Sequence, residues 1–384
     1  MRKVCIVVGS RANYSSIKSL MAAVQGHADL ELQVVAMASA LSDRYGAVYQ
    51  HILKDGFPID ARVNMLLEGE TPTTMAKSTG LGLLELPSVF DHLEPDVVVT
   101  VGDRFETIAT AVAAAFMNIP LAHTMGGEVT GTIDESIRHA ISKFAHIHFP
   151  ASEDARERII RLGEDPETVH MVGCPRIDLV AGILNNARVK SSFSPDNLGG
   201  VGDPIDWDKP FLLISQHPVT TEFGDGKEQI LNTLKAASHV GMQALVLWPN
   251  SDAGADDIAR GIRTYREMGL AVNMHFCKNL PVDTYIHMMD KTACLVGNSS
   301  SGIREGAYIG TPVVNVGSRQ DGRERGQNVL DVGYGVDQIE SAIRKQVSIG
   351  KYSMDPIYGD GTAGERIADI LSFATFKIQK QITY

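Results

Sequence analysis

The chain has 384 residues, 44% of them hydrophobic and 21% charged, a composition that fits a globular protein of two domains and excludes disordered and fibrous classes. A net charge of -11 excludes a sequence-independent grip on nucleic acid, so any anionic ligand must meet a local basic cluster. No apolar run approaches a membrane span, and the opening "MRKVCIVVGSRANY" turns polar after one short apolar run, so it reads as a strand rather than a signal peptide and a cytoplasmic enzyme is expected.

In chain order, short apolar runs alternate with helical patterns. The first half offers "KVCIVVGSR", "LQVVAMAS", "DVVVTVGDR", "IPLAHTMGG" and "AHIHFPAS". A stretch rich in Ser, Asn, Gly, Pro and Asp follows at 185–210 and reads as an exposed linker or irregular excursion. The second half offers "FLLISQHPV", "ALVLWPNSDAG", "VNMHFCKN", "ACLVGNSSSG" and "TPVVNVGSR". Continuous apolar runs separated by helices indicate parallel strands buried on both faces, hence two doubly wound α/β domains. The expected boundaries are 1–184 for the first domain, 185–208 for the linker and 209–360 for the second domain. The tail from 361 to 384, with Ile367, Ile370, Leu371 and Phe373 at helical spacing, is expected to pack back across the junction.

In open α/β sheets, ligands bind at the carboxyl ends of the strands. Those ends carry Arg11, Asp103, Arg104, Glu128, His217, Asn250, Ser299 to Ser301 and Arg319. The first turn, "GSRANYSSIK", lacks the GxGxxG dinucleotide fingerprint and offers Arg11, Ser15 and Lys18 around a helix start; the alternative is an Arg in a surface turn. "VGNSSSGIREGAYIGTPVV" places small hydroxyl residues and Gly302 at a helix opening, with Glu305 expected in its first turn. That pattern suits a diphosphate on exposed amides and a carboxylate toward ribose hydroxyls, or simply a capped helix. Arg319, Arg323 and Arg325 follow the next strand and can supply charge for phosphates.

His146 and His148 share one face of a strand without a third metal ligand at suitable spacing. His123 and His139 are read either as supports for acids or substrate hydroxyls, or as buried and satisfied by backbone. Arg260, Arg263 and Arg266 form a solvated helix face. Cys5, Cys174, Cys277 and Cys294 lack CxxC spacing and read as free thiols.

The series "GSRANYSSIK", "GDRFET", "GGEVTGTIDESIRHAISKFAHIHF", "GCPRID", "HPVTTE", "WPNSDAG" and "GNSSSGIREGAYIGTPVVNVGSRQDGRERGQNV" resembles the UDP-N-acetylglucosamine 2-epimerases, in particular the hydrolysing branch that serves sialic and related nonulosonic acids. The resemblance runs over nearly the whole chain. It implies a GT-B fold, two Rossmann-like doubly wound parallel-sheet domains with the active site in the interdomain cleft. It also implies a UDP-sugar substrate, no cofactor and no metal, and a homodimer or homotetramer. By resemblance, Arg11, Ser15, Lys18, Arg104, His217, Asn250, Ser299, Ser300, Glu305 and Arg319 contact the substrate. Asp103 and Asp134 match acids that the family uses in catalysis. His123, His139 and Met125 are candidates for supporting positions.

Three positions depart from that pattern: Met125 stands where hydrolysing members place a glutamate, and Val101 and Ala40 stand where histidines are common. A thioether cannot accept a proton, so Glu128 is the candidate for the vacated acid role. The expected reaction is hydrolytic 2-epimerisation of UDP-N-acetylglucosamine or a close 2-acetamido sugar such as UDP-N,N'-diacetylbacillosamine. A non-hydrolysing epimerase, a GT-B glycosyltransferase and a catalytically silent UDP-sugar sensor remain open at this point.

Overall fold

The computed structural model describes residues 1–68, 71–130, 133–185, 198–249, 254–278 and 280–383. The chain forms two compact units. One comprises Met1–Val129, Ile133–Leu179 and Tyr358–Tyr384; the other comprises Thr130–Thr132 and Val180–Ile357.

The first unit is built on β1 (Arg2–Val8), β2 (Leu30–Met37), β3 (Ala61–Val63), β4 (Val97–Val101), β5 (Leu121–Thr124) and β6 (Ile147–Phe149), in the order β3-β2-β1-β4-β5-β6. All pairings are parallel. Helices α1 (Arg11–Gly26), α2 (Val48–Lys54), α3 (Pro72–Leu93), α4 (Phe105–Phe116), α5 (Asp134–Phe144) and α6 (Glu153–Arg161) follow in chain order, and α7 (Pro175–Asn185) contributes its first residues, to Leu179, to this unit. The strand order reverses between β1 and β4, which makes their carboxyl ends the switch point where ligands bind such sheets. The core joins Cys5, Val7, Val35 and Val98 of the strands to Phe90, Ala109 and Ile141 of the helices. β3 was not anticipated: three residues at the sheet edge give no readable run.

The second unit repeats the plan. β7 (Val201–Gly202), β8 (Phe211–Ser215), β9 (Gln243–Leu247), β10 (Met274–Cys277), β11 (Cys294–Gly297), β12 (Val313–Val316) and β13 (Val329–Val332) run in the order β13-β12-β11-β8-β9-β10-β7. Its switch point lies between β8 and β11. Helices α8 (Gly226–Val240), α9 (Ala255–Glu267), α10 (Val282–Lys291), α11 (Ser300–Ile309) and α12 (Val336–Ile349) accompany these strands. β7 pairs antiparallel with β10, so part of the stretch read as linker closes the sheet edge. Residues 186–197 of that stretch lie outside the described residues.

The last helix, α13 (Ala363–Phe373), belongs to the first unit and packs on α1. Asp178 accepts from the Ala363 and Gly364 amides at 3.0 and 2.7 Å, satisfying the exposed donors of its first turn. A Cβ on Gly364 would stand 2.7 Å from the Ser19 backbone, so only glycine permits this approach to α1. All four cysteines are free and buried, and no described helix is long and apolar enough to cross a membrane.

Candidate active site

In the first unit, Ser10 caps α1 by accepting from the Asn13 amide at 3.2 Å, which leaves Arg11 as the first helical residue. Ser15, one turn on, donates to the Arg11 carbonyl at 2.9 Å and accepts from Arg176. Burial pushes the Arg11 pKa down and the neighbouring Arg176 charge pushes it further. Two guanidiniums near one helix N-terminus make an anion-attracting corner. Arg176 was not singled out from the sequence, although "GCPRID" contains it; nothing local says that α7 begins beside α1.

Lys18 is held by a carboxylate of the same unit. Its ammonium forms an ion pair with Asp55 at 2.7 Å, and Tyr14 also donates to that carboxylate. Burial works to raise the Asp55 pKa, but these two donors outweigh it and hold the group below its ordinary value. Lys18 thus ties α1 to the end of α2, two turns along the helix from Arg11.

At the end of β4, Gly102 turns with φ +73° into Asp103, and Arg104 precedes α4. Arg104 donates to the buried Glu106 at 3.0 Å. Glu106 fills the space above Gly9, where a Cβ would lie 2.3 Å from its Cγ. Asp103 is paired with Arg138 of α5. Arg138 is almost fully buried; it also donates to the Glu128 carbonyl at 2.7 Å and to Glu135 at 2.9 Å. Burial opposes its charge, but Asp103, Glu128 and Glu135 prevail and raise its pKa. One guanidinium therefore gathers three acidic residues. His139 joins the cluster through Glu135 at 2.9 Å. Asp134 opens α5, one turn from Arg138 on the same helix, where an acid complements the dipole.

His123 is fully buried on β5. Its Nε2–H donates to the Gly102 carbonyl at 2.8 Å, which leaves Nδ1 as the acceptor for the Ser142 hydroxyl at 3.2 Å. Burial lowers its pKa to about 3 in spite of the Gly102 carbonyl, so the ring is neutral and acts as a peg under the Gly102–Asp103 turn.

Met125 follows with φ +60°, a left-handed conformation uncommon for a side chain of this size. Its amide donates to the Phe149 carbonyl at 3.0 Å, and its sulfur lies 3.8 Å from Cys174 Sγ. Gly126 and Gly127 are required by space: a Cβ on Gly126 would sit 2.8 Å from His123 Nδ1, and one on Gly127 2.2 Å from the Ala155 carbonyl. Glu128, the next residue, is buried.

In the second unit, Asn298 organises the switch point. Its side chain accepts from the His217 amide at 2.7 Å and donates to the His217 carbonyl at 2.9 Å, while its own carbonyl accepts from Arg319 at 3.2 Å and Gln320 at 2.9 Å. The loops after β8, β11 and β12 are thus knotted at one residue, whose role the serine-rich run "GNSSSG" does not reveal. Ser299 caps α11, and its hydroxyl shares hydrogen bonds with Ser301 at 2.8 Å. Because the helix starts at Ser300, Glu305 falls in its second turn, not the first, and is buried. Arg325 pairs with Asp331 and donates to the Gln320 carbonyl, bracing the loop that carries Arg319. Glu222 binds Ser318, Tyr334 and Gln229, joining the β8 and β12 loops again; burial works to raise its pKa, but these donors hold it down. Asn250 lies outside the described residues.

The sequence pattern of a family described as UDP-N-acetylglucosamine 2-epimerase matches residues 22–372. A UDP-N,N'-diacetylbacillosamine 2-epimerase (hydrolyzing) of Legionella pneumophila is 35% identical over 386 residues, covering 100% of this chain and 98% of its own. A GDP/UDP-N,N'-diacetylbacillosamine 2-epimerase (hydrolyzing) of Campylobacter jejuni is 33% identical, covering 86% of this chain and 84% of its own. Among solved structures, the UDP-GlcNAc 2-epimerase of Neisseria meningitidis bound to UDP-GlcNAc superposes with a TM-score of 0.81 at 19% identity, over 96% of this chain and 99% of that one. At that identity the likeness is one of fold, and the fold is GT-B, with two Rossmann-like units.

Proposed function

The chain belongs to the UDP-N-acetylglucosamine 2-epimerase family, and from that premise we propose that it is a hydrolysing 2-epimerase that converts a UDP-linked 2-acetamido sugar and water to UDP and the free sugar inverted at C2. The observation that carries the catalytic part is the acidic cluster around Arg138: Asp103 paired with the guanidinium, the Glu128 carbonyl bound to it, and Glu135 beside it.

The chemistry needs such a cluster. One carboxylate removes the C2 proton while the bond from C1 to the UDP oxygen breaks, giving a 2-acetamidoglucal. Water then adds at C1 and a proton returns to the opposite face of C2. Asp103, Glu128 and Asp134 are the groups assigned to these proton transfers. Arg11, Ser15, Arg104, His217, Ser299, Ser300, Glu305 and Arg319 are assigned to UDP, with the arginines stabilising charge on the departing diphosphate. His123, neutral and buried, positions the Asp103 turn and takes no part in proton transfer.

The Legionella and Campylobacter relatives are both named for hydrolysing 2-epimerases of N,N'-diacetylbacillosamine linked to UDP, or to GDP or UDP, so UDP-N,N'-diacetylbacillosamine is the first sugar to test and UDP-N-acetylglucosamine the second. Met125 supports a sugar or proton route different from that of relatives with a glutamate there. The experiment is proton NMR of each UDP sugar with the protein in D2O. Free UDP together with the manno-type free sugar carrying deuterium at C2 is the expected result. A UDP-linked product would move the assignment to the non-hydrolysing branch, and no reaction with either sugar would overturn it.

A further inference from the structure

We propose that Lys380, in the segment after α13, is a positioning residue for the acidic cluster, acting through the carboxyl end of α5. The inference rests on the epimerase reading above. The segment after α13 has no role in the proposed reaction.

Past α13 the chain lies along the first unit at three points. The Ile378 carbonyl accepts from His146 Nε2 at 3.1 Å, and His146 Nδ1 accepts in turn from the amide of Leu121, the first residue of β5. The Thr383 amide donates to the Gly163 carbonyl at 3.0 Å. Between these, the Lys380 ammonium donates to the Ala145 carbonyl at 2.6 Å, to Glu164 at 2.6 Å and, more weakly, to the Ser142 carbonyl at 3.4 Å.

The last carbonyls of a helix have no helical amide to accept from, and a cation there complements the dipole. Lys380 supplies that cation to α5. Its counter-charge, Glu164, is nearly buried and is also held by Lys143 at 2.5 Å and His148 at 3.2 Å. Burial works to raise the Glu164 pKa, yet these three donors bring it to about 2, so the ammonium faces a permanent carboxylate.

α5 in turn fixes the site from three places. Near its start it carries Asp134, and Arg138 grips Asp103 from the middle of the helix. In its last turn, Ser142 bonds His123, and His123 bonds the carbonyl of Gly102, the residue before Asp103. An ammonium on the end of α5 therefore sets the placement of Asp103 and of the acids that work with it. Displacements of about 1 Å in reacting groups can cost on the order of a hundredfold in rate.

The test uses the full chain, with kcat and KM on the UDP sugar, UDP affinity by calorimetry, thermal unfolding, and hydrogen exchange of the α5 amides. Lys380→Met is expected to lower kcat about tenfold, a smaller displacement than that limit, with KM and UDP affinity within about twofold of the parent. Exchange in α5 is expected to quicken relative to α4, and Lys380→Arg, which keeps a cationic donor, should recover most of the rate. A folded Lys380→Met protein with parental kcat overturns the proposal. So does a parallel loss of kcat, UDP affinity and stability that Lys380→Arg does not repair. If Lys380→Met does not fold, Lys380→Gln, which keeps a donor for the Ala145 carbonyl, is read by the same criteria. If the parent turns over no UDP sugar, the epimerase reading fails by itself, and unchanged α5 exchange in the variant then overturns the placement by Lys380 separately.

Discussion

Replacing His123 by Gln should remove a specific part of the acid sensitivity of the fold. The imidazole titrates at about 3 in the folded chain against an ordinary value of 6.5, with burial as the main cause. The unfolded chain therefore binds a proton that the folded chain refuses, and stability falls as pH drops below the unfolded value. Each pH unit below 6.5 costs about 1.4 kcal/mol, so the loss at pH 5 is about 2 kcal/mol. His146, His148 and His170 are also lowered, chiefly by burial, and contribute with the same sign, so only a difference between variants isolates His123. Glutamine can still donate to the Gly102 carbonyl and does not titrate. Urea unfolding of parent and His123→Gln at pH 7.5 and pH 5.0 should show the parent losing about 2 kcal/mol more than the variant over that interval. Equal losses would refute the reasoning, as would an NMR titration of the His123 ring with a midpoint near 6.5. The same result bears on mechanism, because a ring that stays neutral down to pH 5 cannot serve as a general acid at working pH.

Asn298→Ala strips the His217 amide and carbonyl of their side-chain partner, at about 1–3 kcal/mol for each group left unsatisfied; UDP affinity by calorimetry should fall at least tenfold, and unchanged affinity would remove Asn298 as the organiser of those loops. Gly127→Ala places a methyl 2.2 Å from the Ala155 carbonyl at φ +76°, and should lower stability by about 2 kcal/mol in urea unfolding; a stable variant would show that the turn yields easily. Asp103→Asn and Asp134→Asn, each tested separately, should reduce turnover by about a hundredfold or more while leaving UDP affinity within twofold; turnover at the parental rate in either variant would unseat that residue as an acid or base.

The continuous apolar runs announced every long central strand, because strands buried on both faces need no polar alternation. β3, β7 and β13 escaped for the opposite reason: they are two to four residues long and lie at sheet edges, where exposed and half-exposed positions blur the pattern. The acids at strand ends were visible because a charged residue directly after an apolar run stands out. Arg138 was not, since an arginine on a helix with acids at i-3 and i-4 looks like solvated surface, and its burial depends on Asp103, 35 residues away. Asn298 hid among serines, and its role appears only when β8 and β11 are neighbours. The placement of Glu305 slipped by one turn because the serine run hides which residue is the cap.

The turn from His123 to Glu128 owes its path to pairing with β6 and to the room its two glycines leave, not to the side chain at 125. A position of that kind is an exchange point. A functional group can be exchanged there while the surrounding frame keeps its shape. The left-handed backbone sets the vocabulary of the exchange: methionine and glutamate, unbranched at Cβ, are admissible there, whereas valine, isoleucine or threonine would strain the frame they stand on.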